Sequence, residues 1–424
     1  VKIVIVDAYL RENRGDAALL SVAVEQLQLA FPGAELHIAG FEQPQQRPEF
    51  DGVPNLGSIR RYVGDETVGR LVRISRKLLA LGLALLAAVP GSAPLLRAVS
   101  WLLPGEMRAE LRALAEADLV FSLGGGRLNG KADFASDLSI GFLLLPLWLA
   151  HRFAVPTVLG PQSYGPFPTG VQRLMVRRVL ATCRRVVVRE EISLQRLDEA
   201  GVPPANLVRG VDSAFAFHGA SDRPWRQQLG IPEDAVLVLM TARQYLGSEA
   251  QSGYEAAMAA TVRHLLERED CQVVLVPQVT CSFQADDDRI VNSRIADRVG
   301  SPRLHVLDDD RVDHHDVFAL YGTADFILGT RFHSVIFGLL AGVPCAAVEY
   351  DHKTRGIMED LDLGHWVVPM TEARADSLIA LVDKLLVDGD AYREHLRRVI
   401  PGYSARAAGF VAELQADLSA PTVR

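Results

Sequence analysis

Arg331, His333 and Ser334, in the run Gly329-Thr330-Arg331-Phe332-His333-Ser334, are the residues whose types and spacing best support chemistry. An apolar strand pattern, ADFIL, precedes the run and an apolar helical pattern, VIFGLLAGV, follows it. A strand-to-helix turn points backbone N–H groups and the positive helix end at one place, which suits an anion. Arg331 adds a planar fork that grips carboxylate or phosphate oxygens through paired hydrogen bonds. A bound anion raises imidazole basicity, so His333 reads as a proton donor beside it. The plainer reading pairs Arg331 with a local carboxylate and leaves His333 to cap the helix. Lys353 follows in Glu349-Tyr350-Asp351-His352-Lys353, just past the strand CAAVEY. It reaches the same anion as a compact charge, with Ser334 and Tyr350 beside it.

Other constellations also fall at strand ends. Gly124, Gly125 and Gly126 end the strand ADLVFSL and lead to Asn129. Their amides can approach a ligand closely, although neither a dinucleotide fingerprint nor a phosphate loop with its Lys-Ser/Thr is present. Asp16 stands where the first helix opens and is read as its cap, with a second role lining the site. Gln162 and Ser163, in GPQSYGP, are placed to hydrogen-bond a sugar. Arg189 closes the strand RRVVV and Arg243 closes VLVLMTA, so both are candidate anion ligands, against the alternative of surface ion pairs. Asp212 is read as a hinge or a hydrogen-bond acceptor between two lobes. His314 and His315, in DDDRVDHHD, read as part of a solvated loop, and no metal site is expected.

The elements that must position these residues alternate along the chain. VKIVIVDAY, AELHIAGF, ADLVFSL, PTVLG and CRRVVVRE read as strands separated by helical patterns, and the alternation resumes with AVLVLMTAR, CQVVLVPQ, RLHVLDD, ADFILG and CAAVEY. Strands this apolar imply parallel sheets covered on both faces. The expected fold class is therefore α/β, two Rossmann-like doubly wound lobes facing a central cleft. The expected division is 1–215 and 216–395, with 396–424 as a C-terminal helix crossing back. At 424 residues two lobes are the natural count, and 49% hydrophobic against 23% charged residues is the balance of a folded chain. The net charge of −8 offers no general attraction for nucleic acid, so an anionic substrate needs its own local cations. Cys183, Cys271, Cys281 and Cys345 lack metal-ligand spacing, which fits a reducing cytoplasm. The opening apolar run is too short for a secretory signal and reads as the first strand.

An apolar and basic insert over about 60–108 interrupts the first lobe. LLALGLALLAAV is too short to span a bilayer. With Arg60, Arg61, Arg70, Arg73, Arg76 and Lys77 before it and LLRAVSWLL after it, residues 70–103 suit an anionic membrane surface. A helical hairpin buried in the core or at a homo-oligomer interface is the alternative.

Taken in order, Gly15-Asp16, the GGG strand end, GPQSYGP, the run from Val188 to Ser193, Asp212, RFHS and YDHK resemble the polysaccharide pyruvyl transferase family. The resemblance runs from about residue 15 to residue 356, and the paired RxH and YDxK elements are its specific part. It implies a GT-B-like fold and phosphoenolpyruvate as co-substrate, with no other cofactor. It also implies that Arg331, His333 and Lys353 act in catalysis and that Arg189 grips the donor; by the chemistry of the residues, Arg243, Ser334 and Tyr350 join it as donor-binding candidates. Asp16, Gly124 to Gly126, Asn129, Gln162, Ser163 and Asp212 then line the acceptor side. The second lobe would hold phosphoenolpyruvate and the first a saccharide. The pattern of the apolar and basic insert, and not the family, adds a lipid-linked saccharide as acceptor and a cytoplasmic protein peripheral on the inner face of the membrane. Two rivals share the architecture: a sugar-nucleotide glycosyltransferase and a non-catalytic membrane-associated binding protein.

Overall fold

The apolar runs become the strands of parallel sheets in the computed structural model, which describes residues 1–281, 286–410 and 414–415. In chain order the strands are β1 (Lys2–Ala8), β2 (Glu35–Gly40), β3 (Glu49–Phe50), β4 (Val53–Pro54), β5 (Leu119–Ser122), β6 (Gly125–Leu128), β7 (Thr157–Tyr164), β8 (Arg185–Val188), β9 (Leu207–Arg209), β10 (Val236–Met240), β11 (Cys271–Leu275), β12 (Leu304–Val306), β13 (Phe326–Gly329), β14 (Cys345–Glu349) and β15 (Val367–Pro369). The helices are α1 (Arg14–Ala30), α2 (Ile59–Gly64), α3 (Arg70–Ala88), α4 (Ala93–Val99), α5 (Gly105–Glu116), α6 (Phe134–Arg152), α7 (Gly170–Leu180), α8 (Glu191–Glu199), α9 (Trp225–Leu229), α10 (Ser248–Leu266), α11 (Asp288–Val299), α12 (His314–Gly322), α13 (Phe332–Leu340), α14 (His352–Asp360) and α15 (Ala375–Ala408).

Of the two large sheets, one has the order β2-β1-β5-β7-β8-β9, with β6 also on β7, and the other has β12-β11-β10-β13-β14-β15; β3 and β4 pair with each other as a separate antiparallel ribbon. Pairing within both large sheets is parallel throughout. Every residue of β5 and all but the first of β10 are buried, which is why these strands read as apolar runs instead of alternating ones. In such sheets strand order reverses at one point, and ligands bind beyond the carboxyl ends of the two strands flanking it. Those strands are β1 and β5 in the first sheet and β10 and β13 in the second.

Two compact units result. The first contains Val1–Leu10, Leu19–Ser213 and the described residues from Arg406 onward; the second contains Arg11–Ala18 and Ala214–Ala405. The expected boundary at 215/216 thus falls between 213 and 214, but residues 11–18 group with the second unit, not the first. Asn13 bridges to Val279, Thr280 N–H donates to the Glu12 carbonyl at 2.9 Å, and the Arg14 guanidinium donates to the Pro277 carbonyl at 2.7 Å. A separate helix from 396 is also corrected: α15 is continuous for 34 residues and passes through Pro401. Tyr392, Leu396, Ile400, Tyr403 and Ala407 are buried at three- and four-residue spacing, so one apolar face is maintained past the proline. In the first unit, Gln26 Nε2 donates to the Ala407 carbonyl at 3.0 Å and the Phe410 ring lies 6.0 Å from that of Phe121. Residues 411–413 and 416–424 of the expected crossing helix lie outside the described residues.

The insert is helical, comprising α2 to α4 and the start of α5. It is not a buried hairpin: Ala80, Leu83 and Ala87 are the buried residues of α3. Among the described residues α6 alone is long and apolar enough to cross a bilayer. Its Ile140, Leu143, Leu144 and Leu147 nevertheless belong to the core of the first unit, together with Val120 of β5 and Leu159 of β7.

Candidate functional site

The reversal point of the second sheet gathers the donor-side candidates. Thr241 to Arg243 leave the end of β10, and Thr330 and Arg331 join β13 to α13. The Thr241 hydroxyl accepts from the Thr330 N–H at 2.8 Å and the Arg331 N–H at 3.2 Å, and it lies 2.9 Å from Ser334 Oγ. The Ser334 hydroxyl in turn donates to the Arg331 carbonyl at 2.5 Å. This network corrects two expectations. The first amides of the turn face Thr241 instead of an anion, and Ser334 is fully enclosed, so it shapes the turn instead of presenting a hydroxyl to a ligand. Thr330 is tied on its other side, 2.7 Å from the Tyr254 hydroxyl.

Arg331 is buried and held. Its Nε lies 2.9 Å from Asp288 Oδ1, and its Nη2 lies 2.6 Å from the same oxygen and 2.9 Å from Asp286 Oδ1. Burial opposes the charge, yet Asp288 and Asp286 hold the guanidinium above the ordinary arginine pKa. Asp288 is itself fixed by the N–H groups of Gln278 and Val279, at 2.9 and 3.0 Å. The plainer sequence reading, a local carboxylate pair, is therefore part of the structure. Asp286 differs from Asp288 in being 38% exposed, and its Oδ1 also lies 3.2 Å from Arg243 Nη2. One carboxylate oxygen thus bridges two guanidiniums.

Tyr350 and Lys353 complete the cluster. The Arg243 guanidinium stands 4.3 Å from the Tyr350 ring centre, and Lys353 Nζ lies 5.4 Å from that centre and 5.5 Å from the Phe332 ring. Burial alone would push the Tyr350 hydroxyl up, but Lys353, Arg243 and Arg331 bring it below the usual tyrosine pKa. That lowering reports a positive field from three cations. Lys353 also meets Asp351 at 3.6 Å. A cavity of about 190 Å³ opens beside Tyr350, Asp351 and Tyr245.

His333 lies in the first turn of α13, and its ring packs edge-on to Phe332 at 5.0 Å. Gly15 explains the early Gly-Asp pair: a Cβ there would fall 2.2 Å from His333 Nδ1. Only glycine lets α1 approach the imidazole this closely. The cap of α1 is Asn13, not Asp16. Asn13 Oδ1 accepts from the Gly15 and Asp16 N–H groups at 3.1 and 3.3 Å, and its Nδ2 donates to Asp16 Oδ2 at 2.8 Å. The helix begins three residues earlier than expected, which puts Asp16 in its first turn, and Asp16 groups with the second unit instead of the acceptor side.

In the first unit, Arg189, Ser163 and Asp212 form one buried network. Arg189 Nε donates to Ser163 Oγ at 2.8 Å, Nη1 pairs with Asp212, and Glu190 lies 3.3 Å away. Ser193 Oγ accepts from the Tyr164 N–H at 2.8 Å and pairs with Glu190. Arg189 is therefore corrected from a donor-gripping cation to an enclosed anchor, because a buried guanidinium needs carboxylates around it. Asp212 is its acceptor instead of a hinge, and Ser163 serves the same group. Gln162 is likewise buried. The separated GPQSY, VREExS and Asp212 motifs thus join β7, β8 and the chain after β9 at one point.

The glycines of β5 and β6 have backbone reasons. A Cβ on Gly124 would stand 2.1 Å from the Pro161 carbonyl oxygen, and Gly125 has φ +135°. Asn129 is exposed and donates to the Gly126 carbonyl at 2.7 Å. His314, expected in a solvated loop, instead begins α12 buried, its ring 5.5 Å from Phe217, and burial lowers its pKa to about 3.

Sequence reasoning missed Asp7. It is the extra residue in a register shift at the end of β1, with φ +64°, at the reversal point of the first sheet. Such bulges redirect a side chain and recur beside active sites. Ser122 Oγ donates to Asp7 Oδ2 at 2.8 Å, and Arg127 donates to the Asp7 carbonyl. Burial pushes the Asp7 carboxyl up, against Ser122, Arg127 and Arg60. The available signal was an acid inside an apolar strand run. For Asp286 and Asp288 it was the acidic cluster before α11.

Comparison with known proteins agrees with this layout. A polysaccharide pyruvyl transferase family model matches residues 13–352. The amylovoran biosynthesis protein AmsJ of Erwinia amylovora is 23% identical over 300 residues, covering 68% of this chain and 70% of that protein. A UDP-GlcNAc 2-epimerase from Neisseria meningitidis bound to UDP-GlcNAc has a TM-score of 0.59 at 11% identity, covering 98% of this chain and 100% of that one. A glycosyltransferase from Rickettsia africae has a TM-score of 0.57 at 12% identity, covering 99% and 98%. At such identities these structures establish the fold alone, a GT-B arrangement of two α/β lobes with parallel sheets. The family match spans most of the chain and includes Arg331, His333 and the start of the YDHK run, so the chain belongs to the polysaccharide pyruvyl transferase family, whose role is pyruvyl transfer in polysaccharide biosynthesis.

Proposed function

We propose that this chain transfers the pyruvyl group of phosphoenolpyruvate to two hydroxyls of a saccharide, forming a cyclic ketal and releasing phosphate. The observation that supports this most is the convergence of Arg243, Arg331 and Lys353 around Tyr350, at the turn that carries His333. In this reading the three cations hold the phosphate and carboxylate of the donor, and Asp286 gives way to them.

His333, as imidazolium, donates its proton to the methylene carbon of the enol, leaving C2 electrophilic. A saccharide hydroxyl forms a bond to C2 and loses its proton; the bond from C2 to the phosphate oxygen breaks; a second hydroxyl then closes the ring on C2. Two hydroxyl protons leave, one matching that spent on the methyl group and one leaving with phosphate. The cations stabilise the departing charge. Neither a metal nor another cofactor is needed. The first unit's reversal point, with Asp7, Ser122 and Arg127, is the candidate for holding saccharide hydroxyls. The reaction is assigned to the cytoplasm.

Incubation with phosphoenolpyruvate and a panel of saccharide acceptors, followed by mass spectrometry, tests this. The expected result is a pyruvylated product from the wild type, and a loss of about 10²- to 10⁴-fold in turnover for His333→Asn with donor affinity retained. Unchanged turnover would remove His333 from the chemistry. Stabilisation by a nucleotide sugar but not by phosphoenolpyruvate would instead favour the glycosyltransferase reading. The acid such an enzyme would turn to a ribose, Glu349, is here engaged by Arg355 at 2.7 Å.

A further inference from the structure

A groove of about 510 Å³ opens in the first unit between α3, α6 and α7, and the transfer chemistry makes no use of it. Leu81, Leu85, Gly141, Trp148, Val171 and Met175 are among the residues that line it. Its size falls in the usual range for a small-molecule site, and its lining is almost wholly apolar.

The surface leading to the groove is apolar too. Leu71, Ile74, Leu78, Leu81 and Leu85 recur along α3 at three- and four-residue spacing, which puts them on one face. All five are exposed, Leu71 at 82%, in a row about 21 Å long. Trp101 and Leu102, just beyond α4, are exposed at 68% and 85%. A row of exposed apolar side chains along one helix face marks an interaction site, unlike single exposed leucines.

Charge identifies the occupant. Residues 70–103 carry Arg70, Arg73, Arg76, Lys77 and Arg97 and no aspartate or glutamate, and of these Arg76 is paired with Asp65 at 3.0 Å. Helix α7 adds Arg173, Arg177 and Arg178, again with no acid; Arg178 lines the groove together with Asp137 of α6, whose carboxylate accepts from the Thr169 hydroxyl and the Gln172 amide at 2.8 and 2.7 Å. The Arg112 guanidinium stands 3.8 Å from the ring centre of exposed Trp101. Two-fold pairing of this face would set the cations of one copy against those of the other. An anionic bilayer complements the same pattern: apolar side chains enter the interface, the tryptophan lies at headgroup level and the basic residues meet phosphates.

We propose that this face of the first unit docks on an anionic membrane and that the groove takes up one hydrocarbon chain of a bilayer lipid. The proposal stands apart from the transfer reaction and is tested without measuring activity. Trp148 lines the groove, while Trp225 and Trp366 are buried in the second unit, so a Trp101→Phe protein reports on the groove through Trp148.

This protein is mixed with phosphatidylglycerol or phosphatidylcholine vesicles, with and without brominated acyl chains. We expect at least tenfold stronger flotation with phosphatidylglycerol, and quenching of Trp148 by the brominated chains. Leu78→Glu with Leu81→Glu loses flotation at least tenfold while phosphoenolpyruvate binding and circular dichroism stay unchanged. A Cβ at Gly141 would stand 3.6 Å from Met175 Sδ, an ordinary contact, so Gly141→Leu fills the groove without disturbing its helix. That variant should float normally but lose the quenching. Flotation without Trp148 quenching, or quenching that survives Gly141→Leu, overturns the chain-binding groove. Absence of anionic preference overturns the membrane face, as does a dimer in sedimentation that the α3 glutamates abolish.

Discussion

Replacing Asp286 with Asn should tighten binding of phosphoenolpyruvate. The Asp286 carboxylate bridges Arg331 at 2.9 Å and Arg243 at 3.2 Å, where the proposed donor would place one of its own oxygens. Donor and side chain therefore compete for the same two guanidiniums. A charge-assisted hydrogen bond is worth roughly 1.5–3 kcal/mol when enclosed. Asp286 is 38% exposed, so solvent reduces the sum of its two contacts to about 1–2 kcal/mol. Removing the charge should lower the dissociation constant about 5- to 30-fold.

Titration calorimetry with wild type and Asp286→Asn measures this directly, and inorganic phosphate serves as a second ligand. Asp288→Asn is the contrasting variant. Asp288 is buried, accepts two backbone N–H groups and is the principal partner of Arg331, so its loss leaves a buried guanidinium poorly compensated and costs about 3–5 kcal/mol of stability. Equal or weaker donor binding in Asp286→Asn, with Arg331 still seated on Asp288, would refute the view that these cations form the donor site.

Three further outcomes follow from the same geometry. Glu110 is fully buried with its carboxylate 2.6 Å from the Ile59 N–H, and burial raises its pKa from 4.5 to about 8. The folded state therefore holds a proton that the unfolded chain releases: stability present below pH 4.5 is lost as pH rises towards 8, and Glu110→Gln should recover up to about 3 kcal/mol at pH 7 and little at pH 4, read by urea unfolding at both. Arg189→Ala leaves Asp212 and Glu190 uncompensated in the core of the first unit, so it should lower stability by about 3–5 kcal/mol in the same assay. Gly15→Ala drives a methyl group into His333, and turnover should fall about 10- to 100-fold while phosphoenolpyruvate affinity holds, since the change displaces the proton donor and not the cations.

The parallel sheets were legible because strands covered on both faces cannot alternate, so the apolar runs that became β5 and β10 announced themselves. Loops at strand ends then had to carry the polar groups, which is how Arg243, Arg331, His333 and Lys353 were found. The roles of individual charges were less legible for one physical reason. A guanidinium at a strand end looks alike in sequence whether it faces a ligand or is sealed beneath one, and what decides is how many carboxylates the fold brings to it. Arg189 meets Asp212 and Glu190 and is enclosed; Arg331 meets one buried acid and one exposed acid; Arg243 meets only the exposed one among the pairs seen here. These three arginines thus form a graded series, from anchor through hybrid to open cation. Distant partners set that order: Asp286 lies 45 positions before Arg331, and Asp212 lies 23 beyond Arg189. Local pattern cannot supply such separations. Asp7 was hidden in the opposite way, since the strand that contains it is so apolar that one acid reads as an interruption until the bulge turns it out of the sheet. A site on this fold is therefore located by where the strands end, and its chemistry is apportioned by which carboxylates solvent can still reach.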